Sequence, residues 1–430
     1  MISVLHITPH LGGGVGKALS GLISESMHLG LEVNHSIATL EALEKDHYAS
    51  TLIKLDCPVY ENISKDEVFK LIGQADIVQI EFWNHPLIPE LLISSEFPAA
   101  RIVLWCHISG MFTPIIPAGL IDCCNKLIFT SDCAKTSREM QSLNLTNAQK
   151  IETISSGGGL EKLHYEPKSL ERMHLKFGYI GTLSFAKLHP DYVQYLSGVS
   201  VENFRVELYG DGDNWPELEQ QQNALKAPNL LGFNGYATDI QSVLRELDVL
   251  VYLLNPNHYG TAENALIEAM AMGVIPIVLG NPAELEIVKD GVNGLVISSP
   301  ENLDFIVKKI SSDKELRRRL STAAAESVRK QFSFKLSAMK FDHVYKKVKL
   351  NKKKKFNFLK IFGKWPSDWY LAFQKNQSQF KAEGIFWDDC KHTRYLLLEK
   401  TKGSITHFHK YFKNDQILNK WFKSLDALKL

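Results

Sequence analysis

Short apolar runs alternate with stretches of helical spacing along most of the chain. "SVLHIT" (3–8), "IVQIEFW" (77–83), "RIVLWCH" (101–107) and "KLIFTS" (126–131) have the length and apolar content of buried strands. After the first of them, "VGKALSGLISESMHLG" (15–30) carries Val15, Leu19, Leu22 and Ile23 at helical spacing and predicts an amphipathic helix. Runs buried on both faces and separated by helices predict a parallel sheet. The series restarts near residue 176 with "KFGYIGT", "RVELYGDG", "VLVYLL", "IPIVLG" and "GLVI", again separated by helices. "SSDKELRRRLSTAAAESVRKQF" (311–332) predicts a closing helix.

The series breaks at "LEKLHYEPKSLERMH" (160–174), which is polar, contains Pro and has no strand pattern. Two α/β domains are therefore expected, 1–168 and 169–348, facing each other across a cleft, with 349–430 as a separate extension. A chain of 430 residues, 45% hydrophobic, is too long for one ordinary core and suits that division. The extension is aromatic-rich, helical in places and without a chemical motif.

Formal net charge is +1, so the molecule has no strong field for nucleic acid, and no nucleic-acid partner is expected. The charge is uneven, however. "KKVKLNKKKKFNFLKIFGK" (346–364) carries nine Lys and no acid, with Phe356, Phe358, Phe362 and Trp365 interleaved or adjacent. Two readings stay open for 346–365: a solvated linker, or a patch for an anionic membrane surface. The six Cys, including Cys390, lack metal-ligand spacing and suit reduced thiols in a cytosolic protein. "MISVLHITPH" has no signal-peptide pattern, and no apolar run approaches a membrane span. The expected location is cytoplasmic, peripheral at the inner face of the membrane.

Candidate chemistry lies where strands meet helices. "HLGGGVGKAL" (10–19) is neither a Walker loop nor a dinucleotide fingerprint. Its glycines allow close approach of backbone to a ligand, and the next helix offers free N–H groups to an anion. A tight turn without a ligand is the alternative. His107 ends a strand and points to the cleft, or is a hydrogen-bonded structural His. Lys187, just beyond the first strand of the second domain, can hold a phosphate as a point charge or be a solvated surface Lys. In "NHYGTAENALIEAMA" (257–271), Thr261 is a good N-cap, and Glu263 would complement the helix dipole. Thr261, Asn264 and Glu268 fall on one helix stripe. Glu268 then faces the helix N-terminus, where a carboxylate suits ribose hydroxyls. Glu263 stands about 140° away around an ideal helix, unless the chain is still irregular there.

These pieces, in this order, resemble the retaining glycosyltransferases of the GT-B fold, glycosyltransferase family 4 in particular, over about residues 1 to 348. The matching parts are Gly12-Gly13-Gly14 after the first strand, His107 ending a central strand, Lys187, "IEAMAMGVIPIVLG" and "EIVKDGVNGLVI". The resemblance implies two Rossmann-like domains and places Gly13, Gly14, Lys187, Thr182, Thr261, Glu263, Asn264 and Glu268 at the donor. It places His107 near the donor sugar as the catalytic candidate. Two departures stand out: the family's first Glu falls on Gly260, and the Arg of its phosphate pair falls on Thr182. Glu263 is the nearest replacement for the sugar-side carboxylate.

What the resemblance implies is a hexosyltransferase that uses a nucleotide-diphosphate sugar and a glycan or lipid-linked acceptor, with retention, in cell-surface polysaccharide biosynthesis. It implies no cofactor and no metal. The rivals are a GT-B nucleotide-sugar epimerase or phosphorylase-like enzyme, and a non-catalytic sugar- or partner-binding protein; Gly260 and Thr182 favour the last.

Overall fold

The computed structural model describes every residue except 44–46, 169–171, 173, 387–390 and 429–430. Cys390 thus lies outside the described residues; Cys57, Cys106, Cys123, Cys124 and Cys133 are free and buried. Two compact units divide the chain. The first holds Met1–Gly158, Tyr259–Ala262 and Phe334–Leu430, and the second holds Gly159–His258 and Glu263–Ser333.

The first unit is built on seven parallel strands. They are β1 (Ile2–Thr8), β2 (Val33–Thr39), β3 (Val59–Tyr60), β4 (Ile77–Phe82), β5 (Ile102–Cys106), β6 (Lys126–Phe129) and β7 (Ile151–Thr153). Their order is β3-β2-β1-β4-β5-β6-β7, with the topological switch between β1 and β4. β4 and β5 are buried at every position, which is why β5 appears as a continuous apolar run and β4 as one interrupted only by Gln79 and Glu81.

One face of this sheet is closed by helix Gly13–His28 together with helix Phe334–Lys349. Ala338, Phe341, Val344, Tyr345 and Val348 form the apolar stripe of the later helix and pack with Val4, Ala18, Leu22, Ile77, Val103 and Trp105. Residues 334–348 therefore complete the first unit, not the second as the sequence pattern suggested. Phe334 fixes the junction: a Cβ on Gly21 would stand 2.2 Å from its ring, and one on Gly158 2.7 Å. Both places accept only glycine.

The extension is no separate body either. Phe358, Phe362, Trp369, Tyr370, Phe373, Phe408, Leu418 and Trp421 belong to the same core cluster as Val78, Ile80, Leu104, Leu127 and Phe129. Its Lys-rich start is a strap across the amino ends of three strands. Lys349 pairs with Asp76, just before β4, and Lys353 Nζ donates to Gly73 O at 2.8 Å. Arg101 Nε, just before β5, donates to Asn351 O at 2.5 Å, and Ala100 and Lys354 exchange backbone bonds of 2.9 and 3.1 Å. Cys123 Sγ, before β6, donates to Asn357 O at 3.6 Å. Phe358 and Phe362 are each 1% exposed, so these two aromatics face the core and not a membrane. Leu350, Leu359 and Trp365 are exposed instead.

The second unit carries six parallel strands: β8 (Phe177–Ile180), β9 (Val206–Tyr209), β10 (Leu231–Phe233), β11 (Val249–Tyr252), β12 (Ile275–Leu279) and β13 (Leu295–Ile297). Their order is β10-β9-β8-β11-β12-β13, so the switch lies between β8 and β11. The expected closing helix at 311–332 is two helices, Pro300–Ser312 and Lys314–Gln331. Asp313 divides them: its side chain accepts from Leu316 N at 2.8 Å and caps the second.

Candidate functional site

In the second unit the loop after β8 brings Lys187 to the carboxyl end of the sheet. The loop is pinned at several points. Leu183 N donates to Asp211 O at 2.9 Å, Phe185 N to Asn214 Oδ1 at 2.9 Å, and Asn255 N to Lys187 O at 2.7 Å. Gly210 allows the neighbouring turn to come this close. Its φ is 152°, and a Cβ there would stand 1.9 Å from Gly181 O.

Lys187 Nζ lies 3.2 Å from Glu263 Oε2 and 5.7 Å from the centroid of the Tyr252 ring. Tyr252 OH donates to the same carboxylate oxygen at 2.6 Å. His258 Nδ1 is 3.8 Å from Glu263 Oε1, and its Nε2 is 3.1 Å from Glu284 Oε2. Asn281 Nδ2 completes the row by donating to Glu284 Oε1 at 3.2 Å. The pairs alternate in sign, as two buried carboxylates require. Burial pushes the Glu263 carboxyl up, but Lys187, then His258, and the Tyr252 hydroxyl outweigh it and hold it below the ordinary value. Burial opposes charge on His258, and Glu284, then Glu263, overcome it and raise its pKa.

This arrangement corrects the local expectation at "GTAENALIEAMA". The helix is Asn264–Ala271, and its N-cap is Glu263, at φ 37° and ψ 60°, with no side-chain capping bond. Thr261 is not the cap: it lies in the first unit, where Thr130 Oγ1 donates to its hydroxyl at 3.0 Å. Glu263 does not complement the helix dipole from the first turn. A left-handed conformation is unfavourable for a residue with a Cβ. Here the ion pair with Lys187 and the bond from Tyr252 hold it. The stripe shortens to Asn264 and Glu268, both partly exposed, one turn apart. Thr182 is partly exposed in the loop after β8, and its carbonyl accepts from Tyr179 OH at 3.1 Å.

In the first unit, Gly13 takes φ 57°, and a Cβ there would meet nothing within 4 Å. It turns the chain from β1 into helix Gly13–His28, which also contains Gly14 and has no side-chain cap at Gly12. His107 follows β5, and its Nε2 is 2.8 Å from Glu81 Oε2. Glu81 is wholly buried in β4. Burial alone would raise its carboxyl, but bonds from His107 and His6 hold it at about 2. The sequence pattern missed Glu81. The signal was present: His6, Gln79 and Glu81 are polar positions inside apolar strands, spaced to share one face.

The extension, expected to be without chemistry, reaches the carboxyl end of β4. Asn84 Nδ2 donates to Lys402 O at 2.9 Å, and His407 stacks on Trp83 with centroids 6.4 Å apart. His85 stands edge-on to His407 at 4.7 Å and to Tyr411 at 5.7 Å. Burial, then the charge of His85, pushes the His407 imidazole down to about 3, so it is neutral.

The family of glycosyl transferases group 1 matches residues 165–327. No curated protein sequence matches the chain. Among solved structures, Anabaena Alr3699/HepE in complex with UDP is similar at TM-score 0.64 and 15% identity, over 81% of this chain and 100% of that one. A glycosyltransferase from Rickettsia africae is similar at TM-score 0.62 and 17% identity, over 82% and 99%. The lipopolysaccharide outer core galactosyltransferase WaaB, in its apo form, is similar at TM-score 0.57 and 14% identity, over 80% and 100%. At these identities the likeness is one of fold, and with the two parallel Rossmann-like sheets it makes this a GT-B protein whose residues 165–327 match the group 1 glycosyl transferases.

Proposed function

We propose that the protein is a glycosyltransferase that moves a hexose from a nucleotide-diphosphate sugar to a glycan or lipid-linked acceptor, with retention, in cell-surface polysaccharide biosynthesis. The observation that carries this is Lys187: a cation fixed by a buried carboxylate at the carboxyl end of β8, within the segment that matches the group 1 glycosyl transferases. A departing diphosphate needs such a preorganised positive charge. The similar Anabaena protein has been solved with UDP-glucose and with UDP and glucose, which supports a UDP-hexose as donor. In this reading Lys187 holds the diphosphate and Glu263 holds Lys187, as well as standing nearest to the missing sugar-side carboxylate at Gly260. Glu268 and Asn264 serve the ribose, and Gly13, Gly14, Thr182 and Thr261 line the donor path. His107 serves the sugar.

A panel of nucleotide sugars, assayed for transfer and for donor hydrolysis, tests the proposal. One or more hexose donors turning over is the expected result. Binding without turnover of any donor would replace it with the non-catalytic reading.

Glu268→Gln is expected to weaken UDP and UDP-sugar alike by about 1.5–3 kcal/mol, since a charged hydrogen bond to the ribose is lost. Calorimetric titration of both ligands checks this. A loss confined to the sugar nucleotide would move Glu268 from the ribose to the sugar.

The strap supports peripheral attachment to an anionic membrane. Lys346, Lys347, Lys352, Lys354, Lys355, Lys360 and Lys364 are exposed on it, with Leu350, Leu359 and Trp365. Among the described residues no helix is long and apolar enough to cross a membrane. Each Lys near an acidic surface contributes about 1 kcal/mol. The protein is expected to sediment with phosphatidylglycerol vesicles at low salt and to be released at high salt. Lys352→Glu with Lys355→Glu should abolish sedimentation. Absence of binding at low salt removes the proposal.

A further inference from the structure

The polar positions of the first sheet form one connected row. His35 of β2, His6 of β1, Gln79 and Glu81 of β4, and His107 after β5 are joined through side chains on a single face. Helices Gly13–His28 and Phe334–Lys349 cover that face and add Ser26 and Tyr345.

The protons can be assigned from the acceptor. An ionised carboxylate only accepts. Glu81 Oε2 therefore takes the Nε2–H of His107 at 2.8 Å. Its Oε1 takes Nδ1–H of His6 at 3.3 Å and the amide of Gln79 at 2.8 Å. Tyr345 OH fixes the Gln79 amide by donating to its oxygen at 2.6 Å. With its Nδ1 proton committed, His6 accepts at Nε2 from His35 Nδ1, 2.9 Å away, and His35 Nε2 accepts from Ser26 Oγ at 2.9 Å. Burial holds the His35 pKa well below its ordinary value, so its ring is neutral. Every donor in the row thus runs toward Glu81.

We propose that Glu81 is the positioning residue of the site: it locks His107 in the Nε2–H tautomer and leaves Nδ1 to the ligand. His107 Nδ1 makes no hydrogen bond among the described residues, and it is not among their buried unpartnered atoms. His107 ends the row at the carboxyl end of β5 with 7% of its side chain exposed, while Glu81, His6 and Gln79 have none; His35, the other partly exposed member, has both ring nitrogens bonded within the row. The rest of the row is buried support, as second partners of a functional His are elsewhere. A carboxylate with three donors in a low-dielectric interior holds the orientation of the His107 ring firmly.

The inference rests on the role proposed for His107, and its test has one arm that needs no activity. Histidine-labelled protein is studied by 15N NMR, with His107→Ala assigning the resonance. The expected result is one fixed Nε2–H tautomer for His107 in the wild type. An Nδ1–H tautomer, or rapid exchange between the two as for a solvated imidazole, overturns the proposal whatever reaction the protein catalyses. The second arm is kinetic. Glu81→Gln is expected to lower kcat by about 100-fold or more while the donor KM stays within threefold. Glu81→Gln combined with His107→Ala should be no slower than His107→Ala alone, because the two act as one unit. Additive losses would make Glu81 a structural residue. If Glu81→Gln does not fold, the wild-type tautomer alone decides.

Discussion

Lys187→Ala is expected to act on binding and on stability at once. Affinity for a nucleoside diphosphate should fall by about 1.5–3 kcal/mol, because a charge-assisted contact is lost. The second unit should also lose about 3–5 kcal/mol, because buried Glu263 loses the nearer of its two cationic partners and keeps only His258, which Glu284 shares. Adding Glu263→Gln separates the two effects. A neutral amide accepts the Tyr252 hydroxyl without needing a countercharge, so the double variant should regain most of the melting temperature and none of the affinity. Unchanged nucleotide affinity in Lys187→Ala would remove the phosphate role. The same cluster has a pH signature. Glu263 is held below its ordinary value of 4.5, so its contribution is full above that pH and is lost as pH falls through its folded value. His258 is raised above 6.5, so its contribution is full below that pH and is lost as pH rises through its folded value. Both act together between 4.5 and 6.5. The stability difference between wild type and Glu263→Gln should narrow below 4.5.

Trp421→Ala is expected to destabilise the whole first unit by about 3–5 kcal/mol, the range for emptying a buried aromatic site. Trp421 is 1% exposed, its ring lies 5.9 Å from Tyr370 and 5.3 Å from Phe380, and its Nε1 donates to Lys381 O at 2.7 Å. All three rings belong to the core cluster that backs β4 to β6. Urea unfolding should show one earlier transition for the first unit. A separate early transition of the extension, with the first sheet unaffected, would show that the extension is an independent body.

The alternation of apolar runs and helices was enough to find both parallel sheets, because β4, β5, β8, β11 and β12 are buried on both faces and are mostly apolar, Gln79 and Glu81 of β4 being the charged or amide exceptions. β2 escaped notice because "VNHSIAT" carries Asn34, His35 and Ser36, and its His35 belongs to the buried polar row. β3, β7 and β10 are two or three residues long, too short for any period. The late start of helix Asn264–Ala271 was not legible either. Local propensity favours a helix from Thr261, and it is overridden by partners distant in sequence: Lys187 and Tyr252 hold Glu263 outside the helix. Lys187 itself stood in register. What the aromatic residues of the extension cover could not be read from their spacing, since a buried stripe and an exposed one look alike until the facing surface is known. Glu81 was legible in principle, as a charge at an alternating position of an apolar strand, where burial demands a partner.

Helix Phe334–Lys349 and the extension close both faces of a sheet that begins at Ile2. The order of synthesis therefore runs against the order of assembly. A nascent chain carries the first sheet only partly covered while the ribosome adds the entire second unit, whose strands and covering helices span residues 159–333 with one short gap. The second unit is complete as soon as Ser333 has emerged; the first must wait for its last hundred residues, about five to twenty seconds at ordinary elongation rates. Until then the parts of both faces that Phe334–Lys349 and the extension cover stay open, and the amino-terminal segment is expected to be the part that engages chaperones during translation.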